Sequence, residues 1–171
     1  DEHYLHANQF LTCSAAPIQD PRGNMLGVLD VSGDQRSYHK HTLALVRMSA
    51  RMIENRWLSE DFGHVVRLHF HARPEFIGTL MEGLLALTDD GRIVGANRGA
   101  LEQLRLSGAA VRMHSLESLF GISLAQVSDH CRRRVAAPLD LRTADGRVFS
   151  GFARGQWTPI FGGSAAPELA A

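Results

Sequence analysis

Nine histidines, two cysteines and one glycine-studded stretch are the residues of this 171-residue chain whose types and spacing suit chemistry. The stretch is MEGLLALTDDGRIVGANRGAL, residues 81–101, with Gly91, Gly95 and Gly99 in the spacing G-x-x-x-G-x-x-x-G. A dinucleotide cradle needs G-x-G-x-x-G and a P-loop needs a terminal Gly-Lys-Ser/Thr, and this stretch has neither. Asp20, Asp89 and Asp90 lack the twelve-residue oxygen spacing and closing Glu of an EF-hand loop; Asp and Gly instead supply the positive φ and side-chain capping of tight turns. His69 and His71 share one face of a predicted strand, while His39 and His41 flank Lys40 near a helix start. No acidic or Cys partner stands at ligand spacing from either pair, so partly exposed histidines are expected and no metal site. Cys13 sits mid-strand, and Cys131 precedes Arg132-Arg133-Arg134, where a small buried hydrophobe is the commoner role than a reactive thiol. Ser14 has no G-x-S-x-G context. These residues give no support for an enzyme or a cofactor, and a non-catalytic protein is expected.

The elements that carry them follow from periodicity. FLTCSAAPI (10–18) is extended, Gln19 to Asn24 is a turn cluster, and MLGVLDVSGD completes a first hairpin. From Tyr38 to Phe62 the period becomes about 3.6, predicting one helix of 20–25 residues. Its apolar face carries Leu43, Leu45, Val46, Met48, Met52, Ile53 and Trp57, with Arg47, Arg51, Glu54 and Arg56 opposite. HVVRLHFHARPEFI (64–77) alternates and then halts at Pro74. Within the glycine-studded stretch the reading is strand Gly83–Thr88, turn Asp89-Asp90-Gly91, strand Arg92–Gly95, and a helix Arg98–Leu106 with Asn97 as its N-cap. Two short helices broken at Gly121 are expected over 115–134, then a third hairpin, Pro138–Thr143 with Arg147–Ala153, turning at Ala144-Asp145-Gly146. Antiparallel pairs with intervening helices predict an α+β fold rather than a doubly wound parallel sheet.

Composition narrows the function classes. Hydrophobic residues at 44% and charged residues at 21% suit a globular domain. Eighteen basic and eighteen acidic residues cancel, so no global field draws the chain to nucleic acid or membrane. Two cysteines fit a reducing compartment, and no apolar run approaches the ~20 residues of a membrane span. Cytoplasmic location is the expectation. The first residue is Asp1, on patterned sequence, which suggests a piece of something longer.

One stretch, LESLFGISLAQVSDHCRRRV, resembles a helix-turn-helix, with Gly121 at the turn, Ser123 capping a second helix and an arginine cluster for phosphates. A small DNA-binding module using residues 115–134 is therefore the alternative function. Glu117 and His130 fall where that motif usually places apolar contacts, and zero net charge is unlike a dedicated DNA binder.

Two segments carry a more extensive resemblance. FLTCSAAPIQDPRGNMLGVLDVSGD, running into SYHKHTLALVRMSARMIENRW, resembles the last hairpin and closing helix of a GAF sensor domain from sigma-54-dependent, Fis-family transcriptional regulators of the acetoin-catabolism type. EGLLALTDDGRIVGANRGALEQL is similar to the entry of a PAS domain, and HARPEFIGTLMEGL is similar to the segment linking the two in that group. The resemblance implies a C-terminal GAF-like hairpin (1–36), a linking helix (37–63), a PAS-like domain (64–160) and a tail or linker (161–171). In that family an AAA+ ATPase and a helix-turn-helix follow as domains of the same full-length protein. This chain has no Walker A lysine and no GAFTGA loop, so neither ATPase activity nor direct nucleic-acid binding is expected of it. The implied function is sensory control of that ATPase through ligand- or partner-dependent rearrangement of dimerising helices. Leu45, Met48, Met52 and Asn55 fall near a/d spacing, suiting a homodimer. An unidentified small molecule would lie under the PAS-like sheet, lined by Leu85, Leu87, Ile93, Leu116, Leu119 and Phe120.

Overall fold

The computed structural model of the protein describes residues 11–34, 41–132 and 137–155. Strands β1 (Leu11–Gln19) and β2 (Met25–Asp34) form a two-stranded antiparallel hairpin. Its register pairs Ser14 with Val31 and Ala16 with Leu29. Asp20 fixes the turn by accepting from the backbone N–H groups of Arg22 (2.9 Å) and Asn24 (2.8 Å) and from the Asn24 side chain (2.8 Å). This is the local capping expected of an Asp in a tight turn.

Helix α1 (His41–Asp61) covers one face of the hairpin. Its 21 residues make it about 30 Å long. The sequence assigns its apolar stripe to one face and its charges to the other, but the buried positions are Val46, Ala50, Glu54 and Leu58, a run of i, i+4 steps. Most of the apolar stripe faces outward instead, with Leu45 62% exposed, Met48 50% and Met52 57%. Glu54, expected on the solvent side, is 5% exposed. Small residues explain the inversion, because Ala16 and Ala50 let hairpin and helix approach closely where Leu or Met side chains would hold them apart.

After α1 the chain builds a five-stranded antiparallel sheet in the order β5-β4-β3-β7-β6, from β3 (Val66–His71), β4 (Gly83–Leu87), β5 (Ile93–Ala96), β6 (Leu139–Arg142) and β7 (Val148–Arg154). The fold is α+β, as the pattern predicts. The first of these five strands in the chain, β3, is the middle strand in space, paired with β4 on one side and β7 on the other. A short 3-10 turn, Pro74–Phe76, starts the connection to β4.

Four short helices cover one sheet face: α2 (Arg98–Leu104), α3 (Gly108–Val111), α4 (Leu116–Phe120) and α5 (Leu124–Arg132). Helix α3 is not foreseen by periodicity, since four residues make barely one turn; the Ser107 side chain caps it by accepting from Ala110 N–H. Gly121 ends α4 in the left-handed conformation at φ 68°. Beneath the helices, Leu68, Phe70, Leu85, Leu87, Leu116, Val127 and Leu141 are fully or almost fully buried. Phe70, Phe120 and Phe149 meet edge-on with centroids 5.4 to 6.2 Å apart.

Candidate functional site

The two sheets meet at α1, and the meeting is polar. Glu54 occupies a buried helical position because its carboxylate has three donors around it. Oε1 accepts from Gln19 N–H at 2.9 Å and from Arg98 Nη2 at 2.6 Å, and Oε2 accepts from Arg98 Nε at 3.2 Å. Arg98, in the first turn of α2, also donates from Nη2 to Pro17 O at 3.2 Å. One guanidinium thus ties β1, α1 and α2 together. The hydrogen bonds to Glu54 hold the Arg98 guanidinium above its ordinary pKa.

Asn97 lies beside this pair and does more than cap. Its Oδ1 accepts from Ala100 N–H (2.8 Å), the cap itself, and from Leu84 N–H (2.9 Å) on β4. Its Nδ2 donates to Glu82 O (3.0 Å) and to Asn55 Oδ1 (2.9 Å) on α1. Three of these partners lie in the sheet unit and one on the helix leading from the hairpin. Gly99 makes the approach feasible, because a Cβ there would stand 2.3 Å from Glu82 O. Of the three spaced glycines, Gly99 serves close backbone approach and Gly91 a turn at φ 79°.

A second buried pair lies on the sheet face toward α1. His69 Nδ1 is 3.2 Å from Glu82 Oε2, both residues are under a tenth exposed, and the Gly78 N–H donates to the same oxygen at 2.6 Å. Burial pushes the Glu82 carboxyl up, but the His69 and Gly78 hydrogen bonds, aided by the charges of His69 and Arg154, outweigh it and hold the group below its ordinary value. His71 shares the strand face with His69, as its spacing predicts, but makes its own contacts: Nδ1 accepts from Arg73 N–H at 2.9 Å and the ring lies against Phe76.

The sequence-predicted residues fall into two groups. Leu85, Leu87, Ile93, Leu116, Leu119 and Phe120 all lie in the packed core under the sheet, and Leu119, at 8%, is the most exposed of them. Leu45, Met48 and Met52 lie together on the bare side of α1, while Asn55 turns to Asn97 and the sheet. In the segment read as a helix-turn-helix, Leu116, Leu119, Phe120 and Val127 are core residues, and Gln126 Oε1 accepts from Ser123 N–H in a local cap. Cys13 is exposed, not buried, on the hairpin face away from α1. Arg133 and Arg134 lie outside the described residues. Glu54 and Arg98 were missed because one reads as solvent-facing and the other as an ordinary helix-start arginine. A charged residue at an i+4 step from Val46 and Ala50 was the available signal.

Comparison with known proteins gives the class first. Residues 1–57, which take in the hairpin and most of α1, match the GAF domain family. Two similar proteins carry regulatory names. The acetoin catabolism regulatory protein of Cupriavidus necator is 32% identical over 142 residues, covering 78% of this chain and 21% of the relative. The signal-transduction and transcriptional-control protein of Clostridium beijerinckii is 26% identical over 107 residues, covering 63% of this chain and 17% of that protein. The chain therefore spans about a fifth of the length of these curated relatives. The crystal structure of the E. coli DhaR(N)-DhaL complex aligns over 86% of this chain and 56% of that one at 12% identity, with a TM-score of 0.30, a likeness that carries no argument. Family and relatives agree with the resemblance read from the hairpin and helix.

Proposed function

We propose that this chain is the sensory, non-catalytic segment of a cytoplasmic sigma-54-dependent transcriptional activator. Residues 1–36 are the end of a GAF-like domain, 37–63 a signalling helix, 64–160 a PAS-like domain and 161–171 a linker. Its role is to restrain or release an AAA+ ATPase elsewhere in the full-length protein, which also carries the DNA-binding domain. The observation that carries the reading is the two-sidedness of α1. One side is locked by Glu54 and Asn55 to Arg98 and Asn97, while Leu45, Met48 and Met52 on the other are bare. Such a helix passes a change in either sheet to whatever its apolar stripe contacts, and that contact is a second copy of the chain. A ligand or partner that favours one helix arrangement shifts the population between restrained and active states. Leu85, Leu87, Ile93, Leu116, Leu119 and Phe120 are the proposed lining of any pocket a ligand opens beneath the sheet.

Light scattering tests the dimer. The chain is expected at about twice its 18.8 kDa mass, and the double substitution Met48→Glu with Met52→Glu is expected to give a folded monomer. A wild-type chain that stays monomeric at micromolar concentration rejects the helix-pairing mechanism.

A further inference from the structure

Strand β5 is an edge of the five-stranded sheet, and two segments partly cover it. The hairpin turn reaches one end, where Ala96 N–H donates to Pro21 O at 2.9 Å, and the loop after α3 reaches the other, where Ile93 N–H donates to His114 O at 3.2 Å. Between them opens a cleft of about 500 Å³ lined by Arg22, Phe62, His64, Val65, Thr88, Arg92, Ile93, Val94 and Arg112. Its charge is one-sided, with three arginines and a histidine from four separate segments and no carboxylate in the lining. The neighbouring acids are engaged in their own turns. Asp20 accepts from Arg22 and Asn24 N–H groups, while Asp90 accepts from the Thr88 hydroxyl and meets Arg92 Nε at 3.1 Å in an exposed pair. Arg112 donates from Nε to Gly108 O at 3.1 Å, which orients the guanidinium and leaves its terminal nitrogens available. Phe62, Val65, Ile93 and Val94 supply apolar wall, and the volume suits a small metabolite rather than a macromolecule.

We infer that this cleft binds a small oxyanion, a carboxylate- or phosphate-bearing metabolite held by the guanidinium groups of Arg22, Arg92 and Arg112. Arginine forks match the planar oxygen pairs of both groups. Arg22 belongs to the hairpin and Arg92 and Arg112 to the sheet unit, so the bound anion bridges the two beside the backbone bond from Ala96 to Pro21. Binding stands on this geometry alone; its use as a signal rests on the regulatory reading above.

Isothermal titration of the whole chain with sodium malonate and with inorganic phosphate, at constant ionic strength and with sodium chloride as the blank, tests the site. Saturable binding of one anion per chain is expected for at least one probe. Malonate alone identifies a carboxylate site and phosphate alone a phosphate site. Arg112→Gln should weaken binding about tenfold, the loss of one charge-assisted contact. Arg142→Gln, on exposed β6, should leave it unchanged. Melting curves confirm that both variants fold. Heats equal to the chloride blank for both probes overturn the proposal. Binding that survives combined Arg22→Gln, Arg92→Gln and Arg112→Gln substitution overturns it as well. Either failure leaves the α1 reading standing, whereas saturable binding without any effect on transcription by the full-length protein supports the site and removes its signalling role.

Discussion

The hairpin with α1 and the five-stranded sheet are built to different standards of completeness. The hairpin's buried cluster is Ala16, Val46 and Ala50, with Ile18 and Leu29 partly covered, while Met25, Leu26, Val28 and Val31 of β2 stay 45% to 65% exposed. The sheet unit buries sixteen residues in one cluster, three of them phenylalanines in mutual contact. A two-stranded ribbon with so little apolar burial has marginal stability by itself and takes its order from what it is tied to. Here the ties include the Glu54–Arg98 pair, the Asn97–Asn55 bond and the Arg51–Glu102 pair, so directional polar contacts do much of the holding of the weak unit. Polar ties are directional and can be lost together, which suits a part that must change its contacts.

The largest expected effect breaks the strong side of the contrast. Phe70→Ala should cost about 3–5 kcal/mol in urea unfolding by opening a cavity between Phe120 and Phe149. If it costs under about 1 kcal/mol, the sheet unit is not the stable one. Next comes the tie itself. Glu54→Ala leaves the Arg98 guanidinium without its carboxylate and Gln19 N–H without an acceptor, an expected loss of roughly 2–4 kcal/mol in holding the hairpin to the sheet. Hydrogen exchange should then rise over β1 and β2 and stay low over β3 and β4. Uniform deprotection of both would show that the units are one cooperative body. The smallest effect concerns acid. The Glu82 carboxyl is held below its ordinary value when folded, so it contributes stability above the unfolded carboxylate range near pH 4.5, lost as pH falls through the folded value. Glu82→Gln should flatten the acid side of the stability–pH curve below about pH 4.5; an unchanged curve would assign the acid slope to other groups.

Much of the fold was legible because its elements are short and sharply punctuated. Gly91 and Gly146 mark turns, Asn97 and Ser123 mark helix starts, and Pro74 ends an alternating run; the strands observed at Gly83–Leu87 and Ile93–Ala96 lie within a residue of those expected. What stayed hidden were the long-range choices. Nothing local says that Val66–His71 takes the middle of the sheet, because its fully apolar neighbour β4 and its half-exposed neighbour β7 pair with it at separations of 13 to 87 residues. Nor does helical periodicity reveal which of two faces is buried when the more apolar one is reserved for another contact. Leu45, Met48 and Met52 look like core on the page and stand in solvent here. The junction was invisible for a related reason: a buried carboxylate is tolerated only by its donors, and those of Glu54 come from 35 residues upstream and 44 downstream.

The placement of β3 has a mechanical consequence. Only residues 62–65 separate the last turn of α1 from the central strand, and Arg67 Nη1 reaches back to Ser59 O at 3.2 Å, stiffening the joint. A torque applied to α1 therefore enters the sheet at its hub, where hydrogen-bonded neighbours flank it on both sides. An edge strand would peel away and dissipate the twist; a hub strand turns the whole sheet with it, so the helix acts as an axle for the sheet.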